Sequence, residues 1–118
     1  MRSASVIAIE AEPSATLTSR AIPVAQQEHA SVIIDVVGST GAGAVSIEAS
    51  NDSGSDAFPV GNATPSTWKA ITGATVNVSG TGTYIIPAFV IAYQFIRVVF
   101  TYTSGSGGTL TAKVTTAG

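Results

Sequence analysis

Residues 93 to 116 read YQFIRVVFTYTSGSGGTLTAKVTT: apolar and polar side chains alternate, a run of glycine and serine interrupts them, and the alternation resumes. A period of two sends successive side chains to opposite faces of an extended strand. No window of the chain carries apolar residues at helical spacing over three turns, and Val, Ile, Thr and aromatic residues dominate the periodic segments. These segments predict strands at 5–11, 15–24, 31–38, 44–50, 68–71, 74–79, 83–86, 93–103 and 109–116. Eight or nine short antiparallel strands with turn signals between them predict an all-β fold: a β-sandwich, a jelly roll or a small barrel.

The turns carry their own chemistry. GSTGAG (38–43), SGTGT (79–83) and SGSGG (104–108) supply the positive φ angles of hairpins and are expected to join sequential antiparallel neighbours. The segment 51–67, NDSGSDAFPVGNATPST, holds two prolines and two glycines and reads as a long loop, a kind that is usually functional or covered. A second proline-bearing stretch, 22–29, reads as a bend or a short helical turn.

The chain's 118 residues fit one domain, 1–118, in which 1–30 is either an N-terminal arm or an edge segment. Five basic against seven acidic side chains give a net charge of −2, which offers no basic field for a phosphate backbone and argues against nucleic acid as a partner. Only 10% of residues are charged, so Ser and Thr make up most of the polar surface, and such a surface tolerates close company. Without cysteine, the fold must hold by packing or by assembly. The N-terminal MRSASVIAIEAEPSATLTS lacks a signal h-region and is too broken by Glu10 and Glu12 to span a bilayer, so it reads as the start of the mature chain, with no membrane partner. The sequons at Asn51, Asn62 and Asn77 read as chance in a Ser/Thr-rich chain.

Alternation also sorts the core. Val32, Ile34 and Val36 share one face of their strand, as do Val45, Ile47 and Ala49, then Ala74, Val76 and Val78, and finally Leu110, Ala112 and Val114. Their opposite faces are mainly polar, as one-sided burial requires. The strand 93–103 departs from this: with Ile96, Val98, Phe100 and Tyr102 inward, Tyr93, Phe95, Arg97 and Val99 are left outward, and Ile33 and Val37 are left over in the same way on 31–38. Two explanations compete. Either this is a central strand whose second face is covered by the N-terminal segment or a long loop, or Tyr93, Phe95, Arg97 and Val99 form an interface with another chain.

The residues of chemistry are sparse. With a single histidine and no cysteine, neither a multi-histidine zinc site nor a thiolate route can be built, and His29, after Glu28, reads as an exposed turn residue. Glu10 and Glu12 share a strand face and read as a solvated edge that discourages strand pairing, not a catalytic pair. Asn51, Asp52, Ser53 and Asp56 offer oxygen ligands for calcium, but without EF-hand spacing, and read as a self-bonded turn. No catalytic, cofactor-binding or metal residue is assigned, and no enzyme is expected. Trp68 with Tyr84 is a candidate sugar-stacking pair, against the reading of Trp68 as a cap on one end of the core.

The Ser-Asn-Asp turn after a strand, Trp68, GTY at 82–84 and the strands of IRVVFT and GSGGTLTAKV together resemble, over roughly residues 46–114, small jelly-roll-like structural proteins of tailed bacteriophages, most similarly the capsid decoration or cement proteins. That resemblance implies a non-enzymatic protein made in the bacterial host cytoplasm and carried on the outer capsid surface of the virion. There it would bridge neighbouring copies of the major capsid protein and associate with copies of itself. A tail- or fibre-associated carbohydrate- or receptor-binding sandwich is the alternative, and the N-terminal segment could serve as an arm that adds a strand to a neighbour.

Overall fold

The computed structural model describes residues 3–24, 27–51, 67–91 and 93–117. Its strands are β1 (Ser3–Ala11), β2 (Leu17–Thr18), β3 (Ile22–Pro23), β4 (His29–Val37), β5 (Ala42–Ser50), β6 (Lys69–Ser79), β7 (Gly82–Val90), β8 (Phe95–Ser104) and β9 (Thr109–Ala117). They make two antiparallel sheets. Sheet A has the order β1-β9-β4-β7, and sheet B the order β2-β8-β5-β6, with β3 following β2 along β8. Counting β2 and β3 as one interrupted strand, each sheet has four, and the chain changes sheet at every connection between strands except β5 to β6, which is the winding of a jelly roll.

This winding corrects the expected hairpins. The glycine turns after β4, β6 and β8 do not join paired neighbours; each carries the chain from one sheet to the other. Glycine supplies the backbone freedom in either case. Gly105, at φ +85°, shows the constraint, because a Cβ there would collide with the Thr40 carbonyl of a neighbouring turn. The three turns are tied together. The Thr40 N–H donates to the Ser106 carbonyl (3.0 Å), the Gly80 N–H to the Gly41 carbonyl (2.9 Å), and the Gly107 N–H to Glu12 Oε2 (2.9 Å).

The core lies between the sheets where alternation places it. Val32, Ile34 and Val36 of β4 and Leu110, Ala112 and Val114 of β9 join Val45, Ile47, Ile96 and Val98 of sheet B in one buried cluster, with Val76 packed against it half-buried. Phe100 is the largest fully buried side chain, on the inner strand β8.

Three segments differ from their predicted form. The strand expected at 15–24 is split: Leu17 and Thr18 pair Phe100 and Val99, Ile22 and Pro23 pair Ile96 and Phe95, and one extra residue lies between the two bridges. Ser19 closes the gap, its Oγ accepting the Val98 N–H at 2.9 Å while its own N–H donates to the Val98 carbonyl at 2.8 Å. The strands expected at 68–71 and 74–79 are one strand, β6, whose register against β5 shifts around Gly73 (φ +86°). Finally, β7 runs on past Pro87, which an edge strand with a bulge tolerates.

Candidate interaction surfaces

The outer face of sheet B carries three of the left-over residues, Phe95, Arg97 and Val99 of β8, and Tyr93 lies two residues before that strand. Arg97 sits across from Glu48 of β5, and its Nε and Nη2 donate to Glu48 Oε1 at 2.7 and 2.6 Å. The guanidinium carbon lies 4.4 Å from the centre of the Trp68 ring, so the cation covers one aromatic face. Val99 is only 9% exposed and lies in register between Thr18 of β2 and Ser46 of β5. Phe95 is half-buried and Tyr93 is 37% exposed. The four therefore form no continuous open stripe. The N-terminal segment closes β8 along its edge, not across its face, because β2 and β3 supply the hydrogen bonds β5 does not.

Tyr93, Lys69, Asn51 and Thr67 line an open depression of about 420 Å³ at one end of this sheet. Asn51 Oδ1 accepts the Gln94 N–H there at 2.9 Å. The calcium reading of Asp52, Ser53 and Asp56 lies outside the described residues. Trp68 and Tyr84 are not brought together as a stacking pair. Trp68 precedes the first residue of β6, whereas the Tyr84 hydroxyl accepts the N–H of Ser79, the last residue of that strand, and donates to the Gly80 carbonyl. An eleven-residue strand of about 3.3 Å per residue separates them. Tyr102 likewise spends its hydroxyl on a turn, donating to the Gly105 carbonyl at 2.8 Å.

The outer face of sheet A is different. Cross-strand pairing aligns Ile7 of β1 with Lys113 of β9, Lys113 with Ile33 of β4, and Ile33 with Ile85 of β7. The result is a single row across all four strands. Its isoleucines are 51%, 47% and 56% exposed, and Lys113 is exposed with no hydrogen bond or ion pair among the described residues. One row along lie Glu10, Thr111, Asp35 and Thr83, where the Thr83 hydroxyl donates to Asp35 Oδ1 at 2.8 Å. On the other side, Ser5 and Thr115 bond one another through their hydroxyls.

Sequence reasoning reached Ile33 and Val37 of this face and missed Ile7, Ile85 and Lys113. Each of those three occupies a polar position in its own strand's alternation, and only the register shows them side by side. His29 is exposed at the start of β4, and Glu12, past the end of β1, is tied to Gly107 and does not act with Glu10 as a strand-face pair. Residues 3–11 pair with β9 along their whole length, which makes β1 an edge strand of sheet A. No group of three His, Cys, Asp or Glu side chains is placed to hold a metal among the described residues.

No protein-family model and no curated protein sequence matches the chain. Solved structures do match. The fold is similar to that of SPBc2 prophage-derived protein YomS. The TM-score is 0.59 at 15% identity, covering 98% of this chain and 92% of YomS. PirA is similar at a TM-score of 0.52 and 14% identity, over 94% of this chain and 89% of PirA. A structure of infectious bursal disease virus Gx strain aligns with 98% of this chain and 32% of its own at 13% identity, with a TM-score of 0.45. At these identities the likeness to YomS and PirA establishes the fold alone, and YomS is a prophage-derived protein.

Proposed function

We propose that this chain is a non-enzymatic structural protein of a phage virion, a decoration or cement protein that binds the outer surface of the head, bridges major capsid subunits and associates with its own copies on the lattice. The observation that carries this reading, through the association of copies on the lattice, is the exposed isoleucine row of sheet A, apolar surface flanked by Ser and Thr side chains and by Glu10 and Asp35, a pattern that marks an association site. The prophage origin of YomS, similar in fold, supports the phage setting.

The mechanism needs area and repetition. A shell under internal pressure gains from many moderate contacts, each adding to the work of separating subunits, and lattice symmetry multiplies them. Short Ser and Thr side chains lose little rotamer freedom on contact, so each interface costs little to order. Hydrogen bonds between the turns that cross from sheet to sheet add to the covalent links, so load on one sheet would reach the other.

The test mixes the purified chain with emptied phage heads and follows co-sedimentation against concentration. Saturation at a fixed ratio to the major capsid subunit, with heads that then withstand higher temperature, is the expected result. A chain that stays in the supernatant at every concentration, or that binds glycans and ignores heads, overturns it.

A further inference from the structure

We infer that the outer face of sheet A is covered by a second copy of the same chain, packed face to face about a two-fold axis that runs along the strands midway between β9 and β4. This names the surface for the self-association in the function proposed above and rests on that part of it alone.

Three observations carry the inference. First, the row is self-complementary. A two-fold axis along the strands reverses the order Ile7, Lys113, Ile33, Ile85, so Ile7 meets the partner's Ile85, and Lys113 lays its alkyl stem on the partner's Ile33. Each contact then occurs twice, as an isologous interface requires. Long stems of this kind cover apolar surface while the charged head reaches beyond it.

Second, the charges match. β9 faces the partner's β4, where Asp35 stands two residues from Ile33 on the same outer face, so the ammonium that extends past Ile33 of the partner subunit meets Asp35 of the partner subunit. Among the described residues of its own chain, Lys113 has no ion-pair partner and Asp35 accepts only the Thr83 hydroxyl, which leaves lone pairs for a further donor. Glu10, in the same row as Asp35, keeps the region negative.

Third, the area suffices. Four strands about 4.8 Å apart and nine residues long at about 3.3 Å each present a face of roughly 550 Å². Two such faces come to roughly 1,100 Å², above the roughly 1,000 Å² that a specific interface needs. The outer face of sheet B cannot form an equivalent: its central cation is committed to Glu48 and Trp68, and its central valine is closed.

The experiment is a charge exchange read by sedimentation equilibrium over a wide concentration range. The wild-type chain is expected to be dimeric at micromolar concentration. Ile33→Lys sets a lysine against the partner's Lys113 at both symmetry-related positions and should weaken dimerisation about 100-fold or more, since facing like charges oppose association strongly. Adding Lys113→Glu together with Asp35→Asn sets opposite charges at positions 33 and 113 with no carboxylate facing the new glutamate, and should recover at least tenfold of that hundredfold loss. All three positions are exposed, so unchanged circular dichroism serves as the check on folding.

A wild-type chain that is monomeric at hundreds of micromolar overturns the inference, and so does an Ile33→Lys variant that dimerises like wild type, or a combined Ile33→Lys, Lys113→Glu, Asp35→Asn variant that does not recover. The two readings fail separately. Head binding by a strictly monomeric chain would leave the decoration role standing with the shell as occupant of this face; a dimer that ignores heads would do the reverse.

Discussion

The two outer faces of the sandwich each carry apolar side chains where a sheet in water would show polar ones, yet they handle them oppositely. On sheet B the surplus lies on β8, an inner strand with β5 on one side and β2 and β3 on the other, and the surplus is closed by its own chain: Val99 sits between register partners and Arg97 is held by Glu48 over Trp68. On sheet A the surplus is spread over three strands, lines up in one row and stays open. An apolar residue on an outer face is thus no sign of an interface by itself. Its position within the sheet, and what the adjacent strands set beside it, decide whether it is spare surface.

The strongest test of that difference is one substitution made on each face. Asparagine costs up to about 1 kcal/mol in any strand through its poor β propensity, and this is all that Ile33→Asn should cost the isolated chain. Val99→Asn adds the desolvation of an amide in a closed site, about 1–3 kcal/mol more. Urea unfolding at concentrations low enough to keep the chain monomeric should separate the two by about 2 kcal/mol. Equal losses would mean that Val99 is as accessible as Ile33 and that the two faces are alike.

The closure of sheet B depends next on Ser19. Its hydroxyl takes up the Val98 N–H at the point where the extra residue interrupts backbone pairing. Ser19→Ala leaves that buried donor unpaired and should cost about 1–3 kcal/mol, with faster amide exchange at Val98 than at its neighbours in β8. Amide protection at Val98 that survives the substitution would show that backbone pairing, not the serine, holds the segment to β8. Arg97→Ala comes third. It removes a partly exposed ion pair and a cation–π contact, each of about 0.5–1 kcal/mol, and frees one face of Trp68, so indole fluorescence should change with a stability loss of about 1 kcal/mol. No change in fluorescence would place the guanidinium away from the ring.

Much of this was legible in the sequence, for reasons the particular residues make plain. Strand period and inward face follow from local sterics and solvent, so Val32, Ile34, Val36, Leu110, Ala112 and Val114 are found where alternation puts them. Pairing is not local. The glycines of 38–43 and 104–108 turn the chain equally well within a sheet or between sheets, and the partner is chosen by burial of the whole β4 and β8 faces, which no short window contains. The same limit hid the isoleucine row. Ile33 stood out within its strand, but Ile7 and Ile85 became its neighbours only through the β1–β9–β4–β7 order. Conversely, Phe95 and Val99 drew notice as an outward pair, since nothing in 93–103 reveals that 17–23 will bracket the strand.

The finest discrimination lies between adjacent residues of one strand. Ile85 and Ile86 of β7 have the same side chain and the same edge position, but Ile85 is open on sheet A and Ile86 is fully buried. Threonine keeps the β-branched shape and exchanges a methylene-bearing arm for a hydroxyl, so propensity is held nearly constant. Ile86→Thr should lose about 2–3 kcal/mol through lost burial and an enclosed hydroxyl. Ile85→Thr should stay within about 0.5 kcal/mol of wild type in the monomer and show its effect only on association. If Ile85→Thr destabilised the monomer as Ile86→Thr does, the row would be structural within one chain, and the open face of sheet A would lose its standing as a surface made for a partner.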